Sequence, residues 1–445
     1  MIIWPYMNAS SVASPTRVRM IACLLVVTVL FQHLELFQLG DFRVTVALFT
    51  SPILVVLASN RLSLIRLSAV WAPILTLTSL GALLAAHVSQ SVDFFSTLAL
   101  MLLATAIVVF ATSGMRQGVF QSEVVWRAVH STLIIVVLLS TFQVAFGALG
   151  SDVFFNPFGR FQFQNQYNPQ LGFVTFPRAQ GLFLEPSYNA FVISSLAVAL
   201  FCSGKYFRSS VVLALIGLAS AQSATGLIIF LLILLLLAMR SRPKVAIPVG
   251  LAGLILLMFL GPTLVARIQS IGDVGSSGNY RILAPIQVLR DLLQTNPLGL
   301  PLGSIYDVVG GYGLTMFGVA ETASLDNGVY VIIYYFGWIG VALVSWMACW
   351  SLVSVARARA RISRSLEWVV PTWLFGSLLF SGGIVAPEFA AMTWLVVASY
   401  VDAKKIRTGS IDEQSPPAIL ERGDRHISRH TGFAPDPDVV EEIRE

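Results

Sequence analysis

Five arginines lie in two segments, residues 150–187 and 262–326, which separate long apolar stretches of the chain. They are Arg160 and Arg178 in the first segment and Arg267, Arg281 and Arg290 in the second. A guanidinium group binds phosphate or carboxylate oxygens through two parallel hydrogen bonds. Two such segments facing each other would therefore form a site for a pyrophosphate or another anion. The alternative for each arginine is an ion pair with an aspartate of the same segments.

Two carboxylates, Glu185 and Asp326, stand at the ends of these segments, directly before apolar stretches. Glu185 precedes Pro186, a residue that favours the first turn of a helix, where the helix dipole stabilises a carboxylate. Asp326 has a similar position and could cap a helix. Either group could instead be a general base that accepts a proton from a substrate hydroxyl. The residues alone leave both interpretations open.

Ser223 and Thr225 lie between two short apolar stretches. This pattern predicts the polar tip of a helical hairpin. Polar backbone and side chains at membrane depth are tolerated where they line a cavity, so the tip could contribute to a binding site. The alternative is a polar turn that binds nothing.

The composition predicts that membrane helices position these residues. Of the 445 residues, 56% are hydrophobic and 11% charged, and the mean hydropathy is +0.78. Soluble domains are about 45–50% apolar and about 25% charged. The composition therefore excludes a soluble enzyme, a disordered chain and a fibrous repeat. It predicts an all-α polytopic membrane protein.

Apolar windows close to the roughly 20 residues that a spanning helix needs predict about 12 transmembrane helices. Basic residues flank both ends of 205–244, which favours a short hairpin of two helices there over one long helix. The predicted ranges are 19–36, 43–59, 67–88, 94–112, 126–149, 188–203, 209–221, 223–239, 245–261, 327–350, 367–382 and 385–401.

The distribution of basic residues predicts the orientation, because Lys and Arg accumulate in cytoplasmic loops. Most of the 28 Lys and Arg residues fall on one side of the predicted helices, which places both termini in the cytoplasm. The segments 150–187 and 262–326 then become two large extracytoplasmic loops, which would be periplasmic in a bacterial inner membrane. Residues 1–401 form the predicted transmembrane domain, and the polar residues 402–445 a disordered cytoplasmic tail. This topology explains the net charge of +5, so no nucleic acid partner is expected.

Other residues that commonly carry chemistry predict no second site. The five histidines lack metal-ligand spacing, and the three cysteines lack paired spacing. The sequence has no glycine-rich phosphate loop followed by lysine. We therefore expect no metal and no other cofactor, and no hydrolysis of ATP.

Four motifs in this order resemble the O-antigen polymerase and ligase superfamily, in particular its Wzy-type polysaccharide polymerases of the exopolysaccharide branch. They cover roughly residues 170–345. The motifs are Arg178-x-x-Gly181-x-Phe183-x-Glu185-Pro186-Ser187; Ser223-Ala-Thr225-Gly226; Tyr280-Arg281 with Arg290 and Asn296-Pro-Leu-Gly299; and Asp326-Asn327-Gly-Val-Tyr330 with Phe336-Gly-Trp-Ile-Gly340.

The resemblance implies a GT-C-like fold in the bacterial inner membrane. It implies polymerisation of polyprenyl-diphosphate-linked oligosaccharide repeat units at the periplasmic face, with one lipid-linked glycan as donor and another as acceptor. A chain-length regulator often works beside such enzymes. Arginines would hold the diphosphate, with Arg178, Arg281, Arg290 and Arg160 as candidates. Glu185 is the preferred base and Asp326 the second candidate, and Tyr280, Ser223, Thr225, Asn327 and Tyr330 are candidate substrate-binding residues.

Two alternatives remain at this stage. Ligases of the same superfamily transfer finished glycan to another acceptor, but they usually carry histidine at the position of Asp326. A lipid-linked sugar transporter or flippase would place ionisable groups near the middle of the membrane. The predicted helices carry few such groups, which favours the polymerase.

Overall fold

The structure is a computed structural model. It describes residues 13–39, 42–59, 64–85, 94–113, 119–150, 177–223, 269–312 without 275, 325–360 and 368–413, with scattered positions between 233 and 265. The described helices are α1 (Pro15–Leu30), α2 (Val46–Ala58), α3 (Leu64–Leu84), α4 (Phe94–Ser113), α5 (Glu123–Ala148), α6 (Pro186–Ser203), α7 (Phe207–Ala221), α8 (Ser277–Ile282), α9 (Ala284–Thr295), α10 (Ile305–Gly310), α11 (Gly328–Ala360), α12 (Val369–Phe380) and α13 (Pro387–Glu413), with a 3-10 turn at Ser270–Gly272.

Helices are present at ten of the twelve predicted ranges, and the predicted helices 223–239 and 245–261 lie largely outside the described residues. Five described helices are long and apolar enough to cross a membrane: Ile65–Leu84, Phe94–Thr112, Glu123–Ala148, Pro186–Ser203 and Gly328–Arg357. The mostly helical architecture and these apolar helices agree with a membrane protein. The total of twelve spans and the two loops remain predictions.

One part of the all-α prediction is wrong. Residues 31–36 do not continue the first helix, which ends at Leu30. They lead into a two-stranded antiparallel hairpin of β1 (Glu35–Leu39) and β2 (Phe42–Thr45). Apolar content alone does not distinguish a short strand from the end of a helix.

Helix α6 forms the centre of the main hydrophobic core, with nearly all of its residues buried. It contacts α5, α7 and α12. Small residues such as Ala190, Ser194 and Ala197 let neighbouring helices approach closely, as is usual between membrane helices. Gly217 of α7 shows how close they are, since a Cβ there would lie 2.8 Å from Ile193 and 2.9 Å from Val137. The first turn of α6 therefore has a fixed position.

A second core joins α9, α10 and the first half of α11. Helix α11 has a break at Gly337 (φ 55°, ψ −133°), and the loop after α9 fills the break. Trp338 donates its backbone N–H to Pro297 O at 2.9 Å, and Leu300 donates to Tyr334 O at 3.0 Å. The two sequence motifs Asn296–Gly299 and Phe336–Gly340 thus pack directly against each other.

The chain divides into two units, residues 1–404 and 405–445. In the second unit the structure describes only the backbone of α13 as far as Glu413. The helix therefore continues past residue 401, where the sequence analysis placed the end of the transmembrane domain. Of the tail 402–445 that was predicted to be disordered, residues 402–413 are helical, and residues 414–445 lie outside the described part of the chain.

Candidate functional site

Arg281 connects the two carboxylates that the sequence analysis selected. Its Nη2 lies 3.3 Å from Glu185 Oε2, and its Nε lies 3.4 Å from Asp326 Oδ2. The side chain of Arg281 is 25% exposed, that of Asp326 33% and that of Glu185 48%. The three groups are therefore accessible to a ligand but partly shielded from water, which strengthens their interactions with charge.

Glu185 occupies the N-cap position of α6, as the Glu-Pro sequence predicts. Its side chain makes no capping hydrogen bond to the helix. It instead accepts a hydrogen bond from Ser187 and contacts Arg281. The carboxylate therefore remains beside the positive end of the helix dipole, while its oxygens contact side chains.

The segment before Glu185 is held by amide side chains from α5 and from the segment itself. Gln143 Oε1 accepts from Gln180 N at 3.1 Å and from Gly181 N at 2.7 Å, and its Nε2 donates to Gly181 O at 2.9 Å. Gln180 Nε2 donates to Leu184 O at 2.6 Å. Gly181 has a φ of +65°, which favours glycine at this turn. This network fixes the backbone that leads into Glu185.

Asp326 owes its position to close backbone packing at the start of α11. Asn327 caps the helix by accepting from Val329 N at 3.0 Å. Gly382, in the connection between α12 and α13, lies so close that a Cβ there would be 2.0 Å from Leu325 O and 2.9 Å from Asp326 Cα. Asn327 thus acts as a structural cap, and its predicted contact with substrate remains a prediction.

Arg281 lies in the last turn of the short helix α8, which Ser276 caps through Asn279 N at 3.0 Å. Tyr330 of α11 donates its hydroxyl to Ile282 O at 2.8 Å, so the two helices are tied together beside the arginine. Tyr280 is buried at 1% exposure. Tyr330 therefore supports the segment that carries Arg281, and the substrate contacts predicted for both tyrosines remain predictions.

A cavity of about 710 Å³ opens beside the two carboxylates. Its volume lies within the range of about 300–1,000 Å³ that is usual for small-molecule sites. Polar and charged residues from four separate parts of the chain line it together with apolar side chains. The polar and charged lining residues are His33, Arg43, Thr45, Glu185, Ser187, Tyr188, Tyr335, Asp326, Ser381 and Glu388.

The other predicted site residues do not line this cavity or lie outside the described residues. Arg178 is half-buried. The next residue, Ala179, donates its backbone N–H to the backbone oxygen of Ser220 at 2.9 Å. Arg290 is exposed on α9, and Ser223 is buried at the end of α7. Arg160 and Thr225 lie outside the part of the chain that the structure describes. The roles predicted for all five remain predictions.

The sequence analysis did not select several polar residues of the cavity, among them His33, Arg43, Thr45, Tyr188 and Glu388. Arg43 pairs with Glu35 at 2.9 Å across the β-hairpin, and Thr45 is the residue at the end of β2. Glu388 did carry a signal, because it is a single carboxyl within the predicted helix 385–401. An ionisable residue in such a segment marks a functional site more often than a neutral one.

Comparison with known proteins gives two matches. The family model described as "WcaD colanic acid polymerase" matches residues 20–400. A protein of Escherichia coli (strain K12) described as "Putative colanic acid polymerase" is 26% identical over 410 residues. This alignment covers 88% of the present chain and 98% of the relative. The matched range contains Glu185, Arg281 and Asp326.

Proposed function

Because the chain belongs to the WcaD colanic acid polymerase family, we propose that it joins polyprenyl-diphosphate-linked oligosaccharide repeat units into an exopolysaccharide at the periplasmic face of the bacterial inner membrane. The observation that carries the proposal is the contact of one arginine with two carboxylates beside a cavity of about 710 Å³. Glycosyl transfer from a diphosphate needs a cation for the leaving group and an acceptor for a proton, and this group supplies both.

In the proposed reaction, a hydroxyl of the acceptor repeat unit attacks the anomeric carbon of the donor glycan. The bond between that carbon and the diphosphate oxygen breaks as the new glycosidic bond forms. Glu185 accepts the proton of the attacking hydroxyl, and the polyprenyl diphosphate leaves with its electron pair. Asp326 is the second candidate for the base. The two carboxylates contact different nitrogens of Arg281, so either can approach a substrate bound there.

Arg281 stabilises the negative charge that develops on the departing diphosphate. A preorganised cation in a partly shielded site stabilises such charge effectively, because little reorganisation is required during the reaction. Arg178, Arg290 and Arg160 are proposed as further contacts of the diphosphate. With these guanidinium groups the reaction would be independent of metal ions and of any other cofactor.

The proposed topology has both termini in the cytoplasm and the cavity open to the periplasm. A chain-length regulator is a further proposed partner. Cysteine labelling from one side of the membrane tests the topology: a single cysteine at Ser381, which lines the cavity, would react with an impermeant maleimide added to the periplasmic side. The native cysteines would first be replaced.

Reconstitution tests the function. Purified protein in liposomes would receive the lipid-linked repeat unit isolated from the source bacterium, and the products would be separated on a gel. We expect a ladder of several repeats, in the presence of EDTA as well as in its absence. Unchanged single repeats would contradict the polymerase. Transfer of preformed glycan to another lipid without a ladder would indicate a ligase, and movement of the substrate across the bilayer would indicate a flippase.

Arg281→Gln and Arg208→Gln provide a matched pair of arginine variants. Arg208 is exposed on α7 and does not line the cavity. We expect the Arg281 variant to insert normally but to form no polymer, and the Arg208 variant to form the wild-type ladder. Equal ladders from both variants would remove Arg281 from the proposed site.

A further inference from the structure

The cavity contains a second cluster of polar residues, which come from β2, α6 and α13. Glu388 in the first turn of α13 is only 4% exposed, and its Oε1 accepts a hydrogen bond from Thr45 Oγ1 at 3.0 Å. Tyr188 of α6 lines the same cavity. His33 also lines it, with its ring centre 4.9 Å from that of Tyr188. None of these residues has a part in the proposed transfer reaction.

Two polar groups of this cluster have more hydrogen-bonding capacity than the fold uses. A carboxylate accepts up to about four hydrogen bonds, and Thr45 provides one side-chain donor to Glu388. Among the described residues, Glu388 forms no ion pair. The hydroxyl oxygen of Tyr188 is buried and has no hydrogen-bond partner within the described part of the chain. Burying such groups without partners costs free energy, so they need an explanation.

We propose that Glu388, Thr45 and Tyr188 form a saccharide subsite that binds hydroxyl groups of the oligosaccharide in the lipid-linked substrate. The proposal rests on the proposed function and adds the place where the sugar binds. Neighbouring hydroxyls of a sugar donate hydrogen bonds to a carboxylate and accept one from a tyrosine. The rings of Tyr188 and Phe191, which both line the cavity, offer apolar surface for the C–H face of a sugar ring.

The charges of the cavity also indicate how the substrate is oriented. A diphosphate beside Glu388 would meet a buried carboxyl, and Arg43, the arginine that lines the cavity, is already paired with Glu35 at 2.9 Å. At Arg281 the same diphosphate would meet a guanidinium group. The neutral, hydroxyl-rich part of the substrate therefore fits beside Glu388, and the diphosphate fits beside Arg281, which contacts the lining residues Glu185 and Asp326.

The test compares the binding of two probes to the full-length protein in nanodiscs. One probe is the lipid-linked repeat unit isolated from the source bacterium, and the other is polyprenyl diphosphate without sugar. We expect Glu388→Gln and Tyr188→Phe each to weaken binding of the first probe about tenfold. This factor corresponds to the loss of one hydrogen bond to a charged or buried polar group. Binding of the second probe should stay at the wild-type level.

Two controls keep the result interpretable. Glu123→Gln neutralises a carboxylate that is exposed at the start of α5 and does not line the cavity, so this variant should bind both probes normally. Tyr188→Phe removes a hydroxyl that has no partner among the described residues, so its thermal unfolding should equal that of the wild type or lie higher. This variant therefore tests the subsite even if Glu388→Gln fails to fold.

The outcomes separate the subsite from the proposed function. Unchanged binding of the lipid-linked repeat unit to Tyr188→Phe, or an equal loss for both probes, would overturn the subsite. If the wild-type protein binds the sugar-bearing probe more tightly and the variants lose this preference, but no ladder forms, the subsite stands and the polymerase fails. If a ladder forms while the variants keep the preference, the polymerase stands and the subsite fails.

Discussion

Arg281 Nη2 lies 3.3 Å from Glu185 Oε2, although the two residues are 96 positions apart in the sequence. The same guanidinium group contacts Asp326, so the arginine is held between two carboxylates. A diphosphate that binds Arg281 competes with these carboxylates for the guanidinium N–H groups. We expect substrate binding to release a carboxylate from the arginine and so make it available as a base.

Neutralising Glu185 tests this competition. Glu185→Gln keeps the shape of the side chain but removes the proton acceptor. We expect the rate of polymerisation to fall about 10²- to 10⁴-fold, the usual contribution of a general base. Binding of polyprenyl diphosphate should remain or increase, because the charge that competes for Arg281 is gone. A wild-type rate of ladder formation in reconstituted liposomes would exclude Glu185 as the base.

Asp326→Asn is the matched comparison, because both carboxylates contact Arg281. If Glu185 is the base, Asp326→Asn should lower the rate less than Glu185→Gln does. The reverse order would assign the base to Asp326. Measuring kcat and KM of both variants with the same lipid-linked substrate distinguishes the two assignments.

Replacing Arg281 with lysine tests the geometry of the cation. The guanidinium group contacts Glu185 and Asp326 through different nitrogens, and a single ammonium group cannot reproduce this fork. We expect Arg281→Lys to weaken binding of polyprenyl diphosphate about 10- to 100-fold, since charge-assisted hydrogen bonds contribute about 1.5–3 kcal/mol each. Arg208→Lys on α7 is the control. Equal affinities of the two variants would contradict the role of Arg281.

Two neighbouring glycines provide a test of how Asp326 is positioned. A Cβ at Gly382 would lie 2.0 Å from Leu325 O, whereas the nearest atom to a Cβ at Gly383 is 3.8 Å away. Gly382→Ala should therefore displace the backbone at Asp326, destabilise the protein by about 1–3 kcal/mol and reduce polymerisation. Gly383→Ala should leave thermal unfolding and activity almost unchanged. Indistinguishable variants would show that this contact does not position Asp326.

The break in α11 can be tested at Gly337. A Cβ there would lie 2.1 Å from Pro297 O, and the backbone has a φ of +55° with a ψ of −133°. Gly204 also has a positive φ, but a Cβ there would meet no atom within 4 Å. We expect Gly337→Asn to lower the unfolding temperature strongly and Gly204→Asn to change it little, because asparagine tolerates the left-handed region. Similar unfolding temperatures would show that the packing against Pro297 contributes little.

The sequence predicted the parts of this fold that depend on composition and local pattern. Uninterrupted apolar stretches require helices in a membrane because the backbone must satisfy its own hydrogen bonds there. Helices are present at every predicted range that the structure describes in full. The N-cap position of Glu185 followed from the Glu-Pro pair, whereas α11 is capped by Asn327, one residue after Asp326, the cap that the sequence suggested. The hairpin at 35–45 did not follow, since short apolar strands and helix ends look alike in composition.

The sequence by itself determined which residue types could bind an anion and accept a proton, but it offered many arginines and several carboxylates. Only the tertiary structure decided that Glu185, Arg281 and Asp326 meet, and that Glu388 and Thr45 share their cavity. The physical reason is that these contacts depend on how helices pack. Three contacts set the positions of segments that are far apart in the chain: Gly382 with Leu325, Pro297 with the break of α11, and Gln143 with Gly181. No local pattern specifies such distances.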